Sequence, residues 1–207
     1  AGLVGHDGVT HQGAFDIAFL GSVPNMTVYA PASFREVDSM LSIAVREKSG
    51  PVALRYPRGG EGEYTDDHSR EDSTLLRSGA DVTIVTYGIS INAALAAAER
   101  LSADGISAEV IKLNRLLPLA PETVRKSLHK TGRFIMVEEA CRSGSLGTLL
   151  LSDAAANGIS LRGTRLLDLG SGIIKHGSVS QLQHCLHLDA EGIAAAAKGI
   201  MHEKDPA

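Results

Sequence analysis

The chain has 207 residues, 43% of them hydrophobic, with a net charge of −4 and two cysteines. That length fits one domain or two small ones. Acids and bases are interspersed, without the basic patch of a nucleic-acid footprint, and no apolar run approaches the ~20 residues of a membrane span. Cys141 and Cys185 make neither a CxxC nor a zinc spacing, so a structural disulfide is not expected. No segment reads as a signal peptide, and a cytoplasmic location is the expectation. Trp is absent and aromatics are 4% of residues. The core must therefore be aliphatic, which suits a parallel sheet covered by Ala-rich helices.

The chain opens on an apolar run that enters a loop with glycines at 5, 8 and 13 and with Asp7, Thr10 and His11 between them. The abrupt start reads as the interior of something larger. Met26 to Ala30 is a β-type run ended by Pro31, and Ser33 with Glu36 is a capping-box signature. Val37, Met40, Leu41, Ala44 and Val45 follow at helical spacing, Gly50-Pro51 stops the helix, and Val52 to Tyr56 is the next strand. A strand–helix–strand unit of this kind implies parallel strands. Residues 61–78 are polar and glycine-containing and read as an interdomain linker.

A second α/β pattern starts after Gly79. Strands are expected at 82–87, 108–113, 134–137 and 166–169, and helices at 91–103, beyond Pro121, and at 145–156. Ser90 is the expected cap of the first of these helices, and Gly132 closes the second. Two Ala- and Leu-rich helices finish the chain, the last capped by Asp189. Four strands alternating with helices predict an open, mostly parallel sheet.

Two constellations carry chemistry. The Asp7-to-His11 loop places an imidazole near a carboxylate, suited to proton transfer or to a substrate hydroxyl; it also fits a loop whose polar groups only satisfy backbone. Arg55-Tyr56-Pro57-Arg58-Gly59 lies at the carboxyl end of a strand, where ligands of open α/β sheets gather. Guanidinium groups there suit a phosphate or carboxylate, or else ion pairs with the acidic segment that follows. Three other features carry less. Tyr87-Gly88-Ile89-Ser90 is a strand–Gly–helix turn that reads as a plain turn with a cap. In Glu138-Glu139, adjacent strand positions point to opposite faces, so at least one is structural. His184-Cys185-Leu186-His187 lacks the HExxH spacing of a zinc site.

Taken together, Asp7-Gly8-Val9-Thr10-His11-Gln12-Gly13-Ala14-Phe15-Asp16, Val23-Pro24-Asn25-Met26, Ala30-Pro31 and Gly50-Pro51 through Arg55-Tyr56-Pro57-Arg58-Gly59 resemble the 1-deoxy-D-xylulose-5-phosphate synthase family. Less specifically they resemble the transketolase and pyruvate dehydrogenase E1 group. The closing Leu188-Asp189-Ala190-Glu191-Gly192-Ile193 is similar to the end of the same synthases. The chain departs from their pattern at Leu20-Gly21, Ala32-Ser33-Phe34 and Gly170 to Ile174.

The resemblance implies an α/β fold with the carboxyl half of a pyrimidine-binding domain at residues 1–60, a linker at 61–78 and a transketolase C-terminal domain at 79–207. It implies a transferase using thiamine diphosphate and Mg2+ that condenses pyruvate with D-glyceraldehyde 3-phosphate, losing CO2, to supply isoprenoid, thiamine and pyridoxal precursors. By the same analogy His11 assists proton transfer beside the reacting carbons, Asp7 hydrogen-bonds the acceptor sugar phosphate, and Arg58 grips its phosphate. Arg55 is the alternate for that grip or a structural ion-pair partner. The GDG…N motif that holds the diphosphate through magnesium does not occur in this sequence, and the activating glutamate is expected outside it. The chain by itself is therefore expected to be inactive. A homodimer is expected, because the incomplete first sheet leaves strand edges free to pair with a second copy. Rival readings are one subunit of a split thiamine enzyme, a non-catalytic dimerisation module and, more remotely, a nucleotide-binding module on the second sheet.

Overall fold

The computed structural model describes residues 1–201. The last six residues of the expected second domain, 202–207, lie outside the described residues. Two sheets form. The smaller one holds β1 (Thr27–Tyr29), β2 (Val52–Leu54) and β6 (Arg115–Leu117) in the order β2-β1-β6. The larger holds β3 (Ser73–Arg77), β4 (Val82–Tyr87), β5 (Ala108–Leu113), β7 (Arg133–Val137) and β8 (Gly163–Leu167) in the order β3-β5-β4-β7-β8.

In the small sheet β1 and β2 are parallel, with α2 (Phe34–Glu47) as the crossover between them. Half of the expected capping box is present: the Ser33 hydroxyl accepts from the Glu36 N–H at 3.1 Å. The Glu36 carboxylate does not return to the Ser33 backbone. It accepts from the N–H of Ala32 at 2.8 Å and otherwise turns inward. The expected apolar face of α2 also divides: Met40 is buried with Ile43, while Leu41 and Val45 face solvent along with Phe34. One edge of β1, expected to be free, is taken by β6 in antiparallel pairing. The second half of the chain thus lends a strand to the first sheet.

In the large sheet β4, β5, β7 and β8 are parallel and β3 is antiparallel to β5. β3 lies inside the span expected to be a linker. Its polar surroundings hid the Leu75-Leu76 pair, and only cross-strand pairing with β5 makes it a strand. β8 begins earlier than expected, at Gly163, and ends at Leu167. Alternation in β4 sends Ile84 to one face and Val85 to the other. The Ile84 face is covered by α3 (Ile91–Ala103) and α7 (Ala190–Met201), whose Ala94, Ala97, Ala98, Ala194 and Ala197 allow close packing. The Val85 face is covered by α4 (Glu122–Thr131) and α5 (Leu146–Ala156) through Leu128, Leu146 and Leu150. Each such fully buried aliphatic side chain contributes about 1.5–3 kcal/mol. Ser90 does not cap α3; it ends a 3-10 turn, Gly88–Ser90, and its side chain makes no capping bond. Asp189 does cap α7, accepting from the Gly192 N–H at 2.8 Å.

The two sheets are joined by a polar cluster that no motif announced. Lys112 on β5 and Glu36 on α2 are both fully buried, with Nζ to Oε1 at 2.8 Å. The same Oε1 accepts from the Tyr64 hydroxyl at 3.1 Å and the His68 N–H at 3.2 Å. Lys112 also donates to Asn114, which donates to Thr74 at 2.9 Å, and its ammonium sits 5.4 Å from the centre of the Tyr64 ring. Burial pulls the Lys112 ammonium below its ordinary range, against the pull of Glu36. Burial, then Glu36, pushes the Tyr64 hydroxyl well up. Removing one partner of a buried pair strands the other charge, at a cost of about 3–5 kcal/mol, while replacing both removes that penalty. Urea unfolding of Lys112→Met should therefore show a loss of that order. The double variant Lys112→Met with Glu36→Gln should recover most of it; a double variant as unstable as the sum of the singles would count against the pair.

Candidate functional site

The first loop is closed at its neck. Gly2 and Gly13 form an antiparallel bridge, with N–H to O distances of 3.0 and 2.8 Å. A Cβ on Gly2 would stand 2.3 Å from Glu139 Oε2, and one on Gly13 would stand 2.8 Å from the Ala1 Cα, so both positions need glycine for close approach. Between them, a 3-10 turn at Gly5–Asp7 leads to His11, whose N–H donates to the Gly8 carbonyl at 3.1 Å. α1 (Asp16–Leu20), a short helix absent from the sequence reading, follows the loop.

Asp7 and Arg58 meet. The Arg58 guanidinium, 63% exposed, forms an ion pair with the half-buried Asp7 carboxylate across 51 positions of sequence. Arg58 also lines a cleft of about 450 Å³ with Pro31, Phe34, Val37, Tyr56 and Ile89. His11 is exposed in the loop that carries Asp7, with Nδ1 3.1 Å from the Thr10 hydroxyl. The loop thus presents a carboxylate paired with a guanidinium, and an exposed imidazole four residues further on.

Arg55 does something else. Its side chain is 8% exposed and lies 2.9 Å from the Asp16 carboxylate. It donates to the carbonyls of Gly13 at 3.2 Å and Glu139 at 2.5 Å, and it sits 5.3 Å from the centre of the Tyr87 ring. The void beside it, lined by Ala1, Tyr87 and Glu139, is about 10 Å³. That is room for one water and not for a phosphate. Of the two roles open to Arg55 in the sequence, its surroundings are those of the structural one.

Beneath Arg55 runs a buried column. The Tyr87 hydroxyl donates to Glu138 Oε2 at 3.2 Å. Glu138 in turn accepts from the Leu146 and Gly147 N–H groups at 3.1 and 2.9 Å, at the N-terminus of α5. Burial raises the Glu138 carboxyl above its ordinary range, partly offset by those two N–H groups, and burial followed by Glu138 raises Tyr87. Adjacent Glu139 points the other way and accepts from the Leu3 N–H at 2.9 Å and from Gln183 Nε2 at 2.8 Å. Both glutamates therefore hold structure. The sequence reading missed Gln183, on α6 (Val179–Cys185), and His176, whose ring lies 6.0 Å from that of His6 beside Asp7. Neither carries a local signal; only the fold brings them to the loop.

The comparisons fit this geometry. The pyrimidine-binding domain model of transketolase matches residues 1–61, and the transketolase C-terminal domain model matches residues 72–193. The chain belongs to the transketolase family. Among its relatives, a 1-deoxy-D-xylulose-5-phosphate synthase of Geobacillus thermodenitrificans is 38% identical over 209 residues, covering 99% of this chain and 33% of that protein. One of Heliobacterium modesticaldum is 38% identical over 204 residues, covering 96% of this chain and 31% of that protein. This transketolase-family chain thus spans about a third of the length of the curated relatives it matches. A solved structure described as a split gene transketolase, inactive beta4 tetramer, aligns with TM-score 0.79 at 27% identity, over 95% of this chain and 64% of that one. Among the described residues no helix is long and apolar enough to cross a membrane.

The raised Glu138 carboxyl has a pH consequence. A group whose folded value lies above its ordinary 4.5 binds protons more readily when folded. Its contribution to stability is then full below that value and is lost as pH rises through the folded value. Thermal melts of the chain and of Glu138→Gln, compared across that window, should show the wild type losing its relative advantage as pH rises. A constant difference would mean that Glu138 does not titrate there.

Proposed function

We propose that this chain is the pyrimidine-binding and C-terminal part of a 1-deoxy-D-xylulose-5-phosphate synthase, with residues 1–60 and 79–207 as its two domain portions and β3 of the intervening segment joined to the second. The observation that carries the reading is the meeting of Asp7 and Arg58 at the end of the loop that holds His11. The relatives' name gives the product, 1-deoxy-D-xylulose 5-phosphate, and the sequence resemblance adds the proposed reaction, in which pyruvate and D-glyceraldehyde 3-phosphate condense with loss of CO2. In this reading Arg58 takes the phosphate through charge-assisted hydrogen bonds. Asp7, released from Arg58, accepts a hydroxyl of the acceptor sugar. The exposed imidazole of His11 moves a proton at the reacting carbons.

Thiamine diphosphate and Mg2+ belong to the same reading as cofactors. Among the described residues no three His, Cys, Asp or Glu side chains converge to hold a metal ion. The sequence lacks the GDG…N motif that the resemblance assigns to holding the diphosphate through magnesium, and the chain by itself is inactive in this proposal. Likeness to a split gene transketolase supports a second reading, in which a separate polypeptide supplies the cofactor-binding part. The exposed row of Phe34, Leu41 and Val45 on α2 supports self-association as a homodimer.

One experiment addresses both readings. The chain is mixed with the amino-terminal two-thirds of the Geobacillus thermodenitrificans relative, thiamine diphosphate, Mg2+ and the two substrates. Product should form in the mixture and not with the chain by itself. His11→Ala should lower kcat by about 100-fold or more, the usual scale of acid–base assistance. Arg58→Ala should raise KM for D-glyceraldehyde 3-phosphate about 10–100-fold, the worth of a charged hydrogen bond, and leave KM for pyruvate near its starting value. An active mixture indifferent to both substitutions would overturn the site assignment, and turnover by the chain by itself would overturn its inactivity.

A further inference from the structure

The loop that carries Asp7 and His11 is tied at its neck to the large sheet as well as to its own. Both strands of its neck are tied to the segment that follows β7 in the large sheet. On one side the Leu3 N–H donates to Glu139 Oε2 at 2.9 Å. On the other, the Cys141 N–H donates to the Ala14 carbonyl at 2.7 Å. Arg55 bridges the two sides, donating at once to the Gly13 and Glu139 carbonyls. The second oxygen of Glu139 accepts from Gln183 Nε2 at 2.8 Å, so α6 steadies the carboxylate from the far side. α6 also backs the loop directly, because Val179 and Gly177 stand against Gly5. Glu139 is 5% exposed. A carboxylate so placed, with both oxygens accepting, is fixed in orientation, and it fixes the first residue of the loop neck in turn.

We propose that Glu139 is a positioning residue for the Asp7–His11 loop, and that Gln183 holds Glu139 in the orientation this requires. The second sheet then acts as the mount of the substrate loop, and α6 as its brace. The inference rests on the proposed reading only for what the loop contacts; the mount itself is a statement about how the loop is held. Glu139 touches no group offered to substrate. It acts through the Leu3 N–H and the Gly2–Gly13 bridge on residues four to nine positions away.

Hydrogen–deuterium exchange of the intact chain reads the mount without any turnover. Glu139→Ala should speed exchange in peptides covering residues 2–13 at least tenfold, with peptides of β4 and β5 unchanged. Glu139→Gln should restore slow exchange to within about twofold. Its amide oxygen still accepts from Leu3, and the Gln183 amide can flip so that its oxygen accepts from the new NH2. Gln183→Leu, which leaves Glu139 in place, should give an intermediate rise and covers the case in which Glu139→Ala fails to fold. In parallel, inorganic phosphate is titrated against each variant by calorimetry. Its affinity should fall at least fivefold in Glu139→Ala and Gln183→Leu and return in Glu139→Gln. Unchanged loop exchange in Gln183→Leu and in a folded Glu139→Ala would overturn the proposal. So would faster exchange in Glu139→Gln as large as in Glu139→Ala, which would mark a site that tolerates no change rather than a hydrogen-bonding mount. If the wild type binds no phosphate while the exchange pattern holds, the mount stands and the phosphate reading of Arg58 fails.

Discussion

The contact between the Lys112 ammonium and the Glu36 carboxylate sets the frame in which everything else is placed. It joins the helix of one sheet to a central strand of the other with both charges fully buried. Such a pair is costly to bury and contributes little net stability by itself, but it is intolerant of misalignment. Each oxygen of Glu36 is engaged: Oε1 by Lys112, Tyr64 and His68, Oε2 by the Ala32 N–H. A rigid-body shift of one sheet against the other would strand several of these groups together. The end of β2 therefore meets the end of β7 in one arrangement, through Arg55 and the Glu139 carbonyl.

A second hub translates that frame into the site. Arg55 leaves the end of β2, crosses to the Tyr87 ring on β4, and grips the carbonyls of Gly13 and Glu139. Glu138 and Glu139, side by side in sequence, send their carboxylates to opposite sides. Glu138 caps α5 and supports Tyr87, and Glu139 supports the loop neck. The site is thus composite at the level of single residues. The loop, Arg55 and Arg58 come from one part of the chain, and Glu139, which holds the loop neck, comes from the other.

How much of this was legible in the sequence divides by the range of the interactions. β4, β5 and α3 were readable to the residue, because mainly apolar runs, helical spacing and Gly stops are local signals. The meeting of Asp7 and Arg58 was legible only through the family resemblance, since no spacing rule brings residues 51 apart into contact. β3 and β6 escaped because each is a strand by virtue of its partner. Ser73–Arg77 is polar and needs β5, and Arg115–Leu117 is three residues long and needs β1. The capping-box reading of Ser33 and Glu36 was half right because Glu36 turns inward: one oxygen goes to Lys112, Tyr64 and His68, and the other to the Ala32 N–H instead of that of Ser33. Gln183 and His176 had no signal at all, since a polar residue on a short helix or in a loop looks the same whether it faces water or a neighbour.

Two ion pairs of this chain show how burial alone can assign opposite roles to the same chemistry. Lys112 and Glu36 are sealed from water, and parting them would leave an unpaired charge in a low dielectric. Asp7 and Arg58 are open to solvent, where an ion pair contributes about 0–1 kcal/mol. A phosphate dianion approaching Arg58 offers more charge and a bidentate fit than the Asp7 carboxylate it replaces. In the proposed reading, opening the exposed pair costs little, and the freed carboxylate can accept a hydrogen bond from a hydroxyl of the same ligand. Had Asp7 been buried with Arg58, the pair would resist such exchange and serve only as a clasp. Exposure at the end of a loop whose neck is rigidly held gives a site that is fixed in place and still easily opened.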